Sequence, residues 1–75
     1  MYYYIDMDKK KLLTKQETLV LEAIVAGKTN PEIAKDLCIS IHTVKIHIEN
    51  IYRKLNVHNK IQAAVYAVVN NLVEY

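Results

Sequence analysis

The polar residues with the most chemical potential lie in residues 41–55, where charged, amide and imidazole side chains alternate with aliphatic ones. On a helix of about 100° per residue, four aliphatic residues share one face: Val44, Ile48, Ile51 and Leu55. Ile46 then points away from that face, among polar neighbours. Amide and charged side chains of this kind read base edges in the major groove of DNA, and aliphatic ones contact the thymine methyl. The pattern is therefore compatible with DNA recognition, and also with an ordinary solvated helix face.

The outward side of this predicted helix holds the candidate contacts to base edges or phosphates. The polar residues that flank Ile46 are His42, Glu49, Asn50 and Arg53. Lys45 and Lys54 lie on the two sides of this face. Ile46 itself is either a tolerated surface residue or a contact to a thymine methyl.

Other chemistry has little support in the sequence. Cys38 and the three histidines, at positions 42, 47 and 58, occur in one region, but a C2H2 zinc finger needs two cysteines. The first two histidines are five residues apart, which places them on different faces of a helix. The sequence contains no Gly-rich phosphate loop and no H-E-x-x-H motif. We therefore expect no enzyme, cofactor or metal site, and we interpret Cys38 as a small buried hydrophobic residue.

Four segments have helical periodicity, and none alternates as a strand does. The first helix is predicted to start at Thr14, because Thr14 and Glu17 have the spacing of a capping box. It ends at Gly27, where a left-handed cap is expected. The second is predicted to have Asn30 as its N-cap and Pro31 in its first helical position.

The third predicted helix follows Ser40 as its N-cap and ends near Asn56. A fourth begins after Asn59 and carries an apolar face formed by Ile61, Val65, Val68 and Leu72. We therefore expect an all-α fold, a compact four-helix bundle that contains a helix-turn-helix and has a short N-terminal arm. Residues 1–11 would form the arm, and residues 12–75 the domain.

Composition and charge restrict the class of protein. The chain has 75 residues, of which 52% are hydrophobic, and a single glycine, proline and cysteine. One thiol forms no internal disulfide and fits a reducing, cytosolic setting. No run of about 18 apolar residues is present to span a membrane. The net charge of +2 is too small to indicate a nucleic-acid partner by itself.

Several segments between Leu13 and about Val69 resemble a known family. Among them are Leu13-Thr14-x-x-Glu17, Gly27-Lys28-Thr29-Asn30-Pro31-Glu32-Ile33-Ala34, Thr43-Val44-Lys45-x-His47 and Ile51-Tyr52-Arg53-Lys54-Leu55. In this order they resemble the LuxR-type (GerE-type) helix-turn-helix of bacterial transcription regulators. The resemblance implies a cytoplasmic transcription regulator that binds double-stranded DNA, with the recognition helix at about residues 41–55 in the major groove.

The resemblance also implies roles for single residues. Thr43 opens the recognition helix, and Lys45 and Ile46 match positions that contact bases. The positions that meet phosphates are matched by Asn30, Lys54 and Lys60. The fourth helix resembles the family's dimer contact, where the expected interface residues are Ala63, Ala64, Ala67 and Asn71. A homodimer on an inverted repeat follows, with half-sites about 10 base pairs apart.

Glu49 departs from the family pattern, which often has a basic or polar residue there. It is either a specificity determinant that accepts a hydrogen bond from cytosine or a residue without DNA contact. Two other functions remain open. One is a helical module that binds another regulator or RNA polymerase without reading DNA, and the other is the DNA-reading part of a sigma factor. Substitution of Lys45 or Arg53 by alanine distinguishes DNA reading from protein interaction alone. It abolishes DNA binding only if these residues contact DNA.

Overall fold

The computed structural model describes residues 13–73, which form four α-helices. They are α1 (Lys15–Val25), α2 (Asn30–Leu37), α3 (Ile41–Leu55) and α4 (Lys60–Val69). Within residues 13–73 there is no β-strand, and the expected all-α fold is confirmed. None of these helices is long and apolar enough to cross a bilayer. The predicted N-terminal arm, residues 1–11, lies outside the described residues.

Both ends of α1 form as the sequence predicts. The Glu17 N–H donates to the Thr14 hydroxyl at 3.1 Å, and the Thr14 N–H donates to the Glu17 carboxylate at 2.9 Å. This reciprocal capping box satisfies two backbone donors that the helix itself leaves unpaired. At the other end Gly27 has φ +82°, and the Lys28 N–H donates to the Ala23 carbonyl at 3.1 Å. That bond is the mark of a Schellman motif, which ends the helix.

The start of α2 differs from the prediction by one residue. Its N-cap is Thr29, not Asn30, because Thr29 and Glu32 form a second capping box. The Thr29 N–H donates to the Glu32 carboxylate at 2.8 Å, and the Glu32 N–H donates to the Thr29 hydroxyl at 3.3 Å. Two reciprocal bonds outweigh the single bond that an Asn30 cap would supply. Asn30 and Pro31 are therefore the first and second residues of the helix.

The start of α3 and both ends of the loop before α4 agree with the prediction. The Ser40 hydroxyl accepts the Thr43 N–H at 3.0 Å. After Leu55, Asn56 adopts a left-handed conformation with φ +58°. The Asn59 side chain then caps α4 by accepting the Gln62 N–H at 2.8 Å.

The core lies where α3 meets the other three helices, and α1 also packs against α4. Among residues 13–73, the hydrophobic residues with no exposed surface are Val20, Leu21, Ile33, Val44, Ile51, Ala63 and Ala67. The predicted inward face of α3 is confirmed, because its four aliphatic residues are all buried. Since α3 is fixed along this face, its opposite face is held towards solvent.

The side of α4 that packs into the core is not the whole of the predicted apolar face. Of that face, Ile61 and Val65 are 77% and 57% exposed, whereas Ala63 and Ala67, outside it, are fully buried. Leu72, at the end of the predicted face, is buried. The helix is apolar on most of its circumference, so periodicity could not decide which apolar stripe faces inward. Alanine, with its small side chain, lets the backbone of α4 come close to α1.

Cys38 lies in the turn after α2, and its environment corrects the expectation of a buried residue. Its side chain is exposed, and its backbone is left-handed with φ +57°. The next N–H, of Ile39, donates to the Ala34 carbonyl at 3.0 Å and closes the end of α2. Cys38 therefore occupies a position at which glycine or asparagine is usual.

We expect Cys38→Asn to raise the free energy of unfolding by about 0.5–1 kcal/mol. A left-handed backbone costs an ordinary residue about 1–2 kcal/mol, whereas asparagine adopts it more readily. The exposed thiol contributes no core packing that the substitution would remove. Urea denaturation followed by circular dichroism measures the change. Cys38→Ala is the control, and equal stability of the two variants would contradict the backbone explanation.

Candidate functional site

Residues 38–40 join α2 to α3 in a short turn, and the two helices pack against each other. A short helix, a tight turn and a longer second helix form the layout of a helix-turn-helix. In such motifs the second helix presents its free face to a binding partner. The free face of α3 is therefore the candidate functional site.

Five exposed residues make up this free face, which we call the outer face of α3. They are His42, Lys45, Ile46, Glu49 and Arg53. Ile46 is 41% exposed, a large fraction for an isoleucine surrounded by polar side chains. The structure thus brings together on one surface five of the seven residues that the periodicity places there; the other two, Asn50 and Lys54, are half-buried.

Two other predicted contact residues lie at the edge of the outer face and have partners within the chain. The Thr43 hydroxyl is 2.9 Å from the Ser40 hydroxyl, so Thr43 takes part in the cap of α3. The side chain of Asn50 is half-buried, and its Oδ1 accepts a hydrogen bond from Arg53 Nη2 at 2.8 Å. These bonds fix the borders of the outer face.

Lys54, predicted from the resemblance to meet a phosphate, is paired inside the protein. Its Nζ donates to Glu17 Oε1 at 2.7 Å, and the side chains are 27% and 4% exposed. Burial raises the pKa of Glu17, but the hydrogen bonds from Lys54 and the Thr14 N–H and the charges of Lys54 and His47 together lower it below its ordinary value. Lys54 therefore anchors the end of α3 to the start of α1.

Asn30 and Lys60, the other two predicted phosphate contacts, meet although they are 30 residues apart in sequence. Lys60 Nζ donates to Asn30 Oδ1 at 2.6 Å, at the first turns of α2 and α4. The backbone N–H groups at a helix N-terminus and a lysine ammonium both favour an anion. The pair is thus chemically suited to a phosphate contact, although it belongs to other helices than the outer face.

A second exposed surface lies on α4. Ile61, Val65 and Val69 are 77%, 57% and 70% exposed at spacings of four residues. We call these three residues the α4 stripe. Shallow apolar grooves border it on both sides, one lined by Val57 and Tyr66 and the other by Val25, Ala64 and Val68. The sequence contains this stripe as three aliphatic residues spaced four apart on the same helix.

Two of the four predicted dimer contacts lie on the side of α4 that packs into the core. Ala63 and Ala67 are fully buried inside the single chain, so their side chains cannot touch a second chain. That part of the expectation is corrected. Ala64 is half-buried beside the α4 stripe and Asn71 is exposed. The role of these two residues in a dimer contact stays a prediction.

The three histidines that follow Cys38 in sequence differ in exposure. His42 and His58 are exposed and His47 is half-buried. Among residues 13–73, no group of three or more His, Cys, Asp or Glu side chains is arranged to hold a metal ion. What the two surfaces offer chemically is hydrogen bonding, ionic contact and apolar contact.

Residues 11–67 match the family described as bacterial regulatory proteins, luxR family. The chain is 56% identical over 61 residues to the transcriptional regulatory protein LiaR of Bacillus subtilis (strain 168), an alignment that covers 81% of this chain and 29% of LiaR. It is 49% identical over 55 residues to the glycerol metabolism activator of Pseudomonas putida, covering 73% of this chain and 25% of that protein. It is 42% identical over 64 residues to the response regulator protein VraR of Staphylococcus aureus, covering 85% of this chain and 31% of VraR.

The chain thus spans between a quarter and a third of the length of these relatives. The family match includes α1, α2 and α3 completely and most of α4. It therefore contains the helix-turn-helix, the outer face of α3 and the Glu17–Lys54 pair. Together, the match and the fold show that the chain belongs to the luxR family of bacterial regulatory proteins.

Proposed function

We propose that this domain binds double-stranded DNA in a sequence-specific manner and regulates transcription, with α3 lying in the major groove. The observation that carries the proposal is the chemistry of the outer face. Lys45 offers hydrogen-bond donors, Ile46 an aliphatic group and Glu49 an acceptor, all exposed within five residues. These are the three kinds of group that distinguish base pairs in the major groove, which is wide enough for an α-helix. The relatives' printed names, two regulators and an activator, support the same role.

Phosphate contacts would set the register of α3 on the duplex. We assign them to Asn30 and Lys60, which together present a helix N-terminus and an ammonium group. His42 and Arg53, exposed at the two ends of the outer face, are the further candidates. Lys54 is assigned to holding α3 in place, because Glu17 already neutralises its charge.

We further propose that two copies associate through the α4 stripe and act in the bacterial cytoplasm, where the DNA lies. A small domain rarely exposes adjoining large apolar side chains without a partner, and Ile61, Val65 and Val69 adjoin on one helix. Ala64 and Asn71 would lie at the margin of this contact. A two-fold dimer would read an inverted repeat whose half-sites are about 10 base pairs apart.

Selection of bound duplexes from a random DNA pool tests the proposal. At low salt we expect the original chain to enrich an inverted repeat, and its affinity should fall steeply as salt is raised. Lys45→Ala should lower affinity for the enriched site by about 10-fold, since a good base contact contributes about 1–3 kcal/mol. The matched control is Lys35→Ala, which removes the same charge from an exposed position on α2.

The opposite result would be weak, salt-sensitive retention of DNA with no enriched sequence. DNA reading by this chain would then be rejected. The α4 stripe would become the leading site, as the contact of a helical module that binds another regulator or RNA polymerase. If Lys45→Ala and Lys35→Ala lowered DNA affinity equally, Lys45 would not be a base contact.

A further inference from the structure

The outer face of α3 contains one acid among basic residues. Lys45, Glu49 and Arg53 follow one another at intervals of four residues, so their side chains lie along one side of the helix. Lysine and arginine only donate hydrogen bonds, whereas an ionised carboxylate only accepts them. Glu49 is thus an acceptor placed between two donors.

The carboxylate of Glu49 is not engaged by these neighbours. In the part of the chain that the structure describes, Glu49 has no hydrogen-bond or ion-pair partner. Glutamate followed four residues later by a basic residue is the favoured order for a helical ion pair. Arg53 nevertheless donates to Asn50 instead, at 2.8 Å. The exposed carboxylate therefore keeps its full capacity to accept hydrogen bonds from a ligand.

The major groove contains a limited number of partners for such a group. Phosphates repel a carboxylate, and guanine N7 and O6 and thymine O4 are acceptors like the carboxylate itself. Adenine N6 is a donor, but the adjacent N7 is an acceptor that a carboxylate meets unfavourably. Cytosine N4 is a donor, and glutamate or aspartate is the matching side chain.

We propose that Glu49 is a specificity-determining residue, which accepts a hydrogen bond from N4 of one cytosine in each half-site. The inference rests on the proposed function, because it requires α3 in the major groove. It adds the identity of a base to that function. The neighbouring donors, Lys45 and Arg53, would instead favour hydrogen-bond acceptors, on base edges or on phosphates.

Selection from a random pool with variants of Glu49 tests the inference. The original chain should enrich cytosine at one position of each half-site, with about 5- to 30-fold preference over the other bases. Glu49→Ala should abolish the preference at that position and leave the other positions unchanged. Glu49→Lys should change the preferred base there from cytosine to guanine, whose O6 and N7 accept from lysine.

Glu22→Ala is the matched control, because it removes one exposed acid from α1, away from the outer face. A uniform gain in affinity for all sequences is expected of both Glu49→Ala and Glu22→Ala, because each removes one negative charge. An enriched sequence that is identical for the original chain and Glu49→Ala would overturn the inference and leave the proposed function intact. Failure of the original chain to enrich any sequence would overturn both.

Discussion

At neutral pH, Lys54→Met is expected to lower the free energy of unfolding by about 2–3 kcal/mol, somewhat less than the roughly 3–5 kcal/mol of a fully buried ion pair, because the Lys54 side chain is 27% exposed. The substitution keeps most of the side-chain volume but leaves the Glu17 carboxylate, which is 4% exposed, without its lysine partner. A surface ion pair would give only about 0–1 kcal/mol. Urea denaturation at pH 7, followed by circular dichroism, measures the difference between the two proteins.

The pH dependence of this loss identifies its cause. The pKa of Glu17 is lowered in the folded protein, so the stabilisation is present above the unfolded pKa, about 4.3, and is lost as pH falls through the folded pKa. Without Lys54, burial raises the pKa and the variant takes up a proton at higher pH. The difference in stability should therefore shrink between pH 7 and pH 4. A difference that stays constant would point to lost packing of the lysine stem.

The double variant Glu17→Gln/Lys54→Met tests whether the loss of stability comes from a buried carboxylate that has lost its lysine partner. It leaves no buried charge at this site, and the glutamine oxygen can still accept the Thr14 N–H that now meets Glu17 at 2.9 Å. Replacing a whole buried pair is often neutral, whereas breaking it is not. We expect the double variant to regain at least half of the lost stability. A double variant as unstable as Lys54→Met would contradict this explanation.

Val65→Asp is expected to lower affinity for the inverted repeat by about 30-fold or more, while binding to a single half-site stays unchanged. Val65 is 57% exposed, so the substitution should not disturb the fold of the single chain. In the proposed dimer it would bury an unpaired carboxylate between two α4 stripes, which costs on the order of 2–5 kcal/mol. Fluorescence anisotropy with DNA carrying one or two half-sites measures both affinities, and sedimentation equilibrium gives the oligomeric state.

A point substitution is the sharper test of the dimer because α4 also belongs to the core. Deleting the chain from Lys60 onward would remove the buried side chains of Ala63, Ala67 and Leu72, and would unfold the domain rather than release a monomer. Val65→Ala is the matched control, since it shortens the side chain without adding charge, and it should have a much smaller effect. If Val65→Asp bound both DNAs as the original chain does, the α4 stripe would not be the dimer contact.

The sequence is sufficient to predict the features that depend on neighbouring residues. The limits of α3 follow from the Ser40 cap and from a single clear apolar face, and the capping box of α1 follows from the spacing of Thr14 and Glu17. The outer face is also predictable, because the polar and apolar sides of α3 differ. In each case the deciding interactions lie within four residues along the chain.

Features that depend on packing between distant residues were not predictable. Lys54 is assigned to DNA by the resemblance, but a carboxylate 37 residues earlier in the chain binds it. The periodicity of α4 predicts an apolar face that includes Ile61 and Val65, but the side that packs into the core is the one with Ala63 and Ala67. Neither contact leaves a periodic signal, because each depends on how two helices meet.

The four helices are followed by residues with positive φ, at Gly27, Cys38, Asn56 and Asn71, and only the first of these is glycine. Glycine adopts this backbone without strain, but it also gives the unfolded chain more conformational entropy to lose on folding. Cysteine and asparagine hold a small strain in the folded state and leave the unfolded chain with fewer conformations. With no internal disulfide to limit those conformations, the domain ends three of its helices in a way that limits the entropy lost on folding.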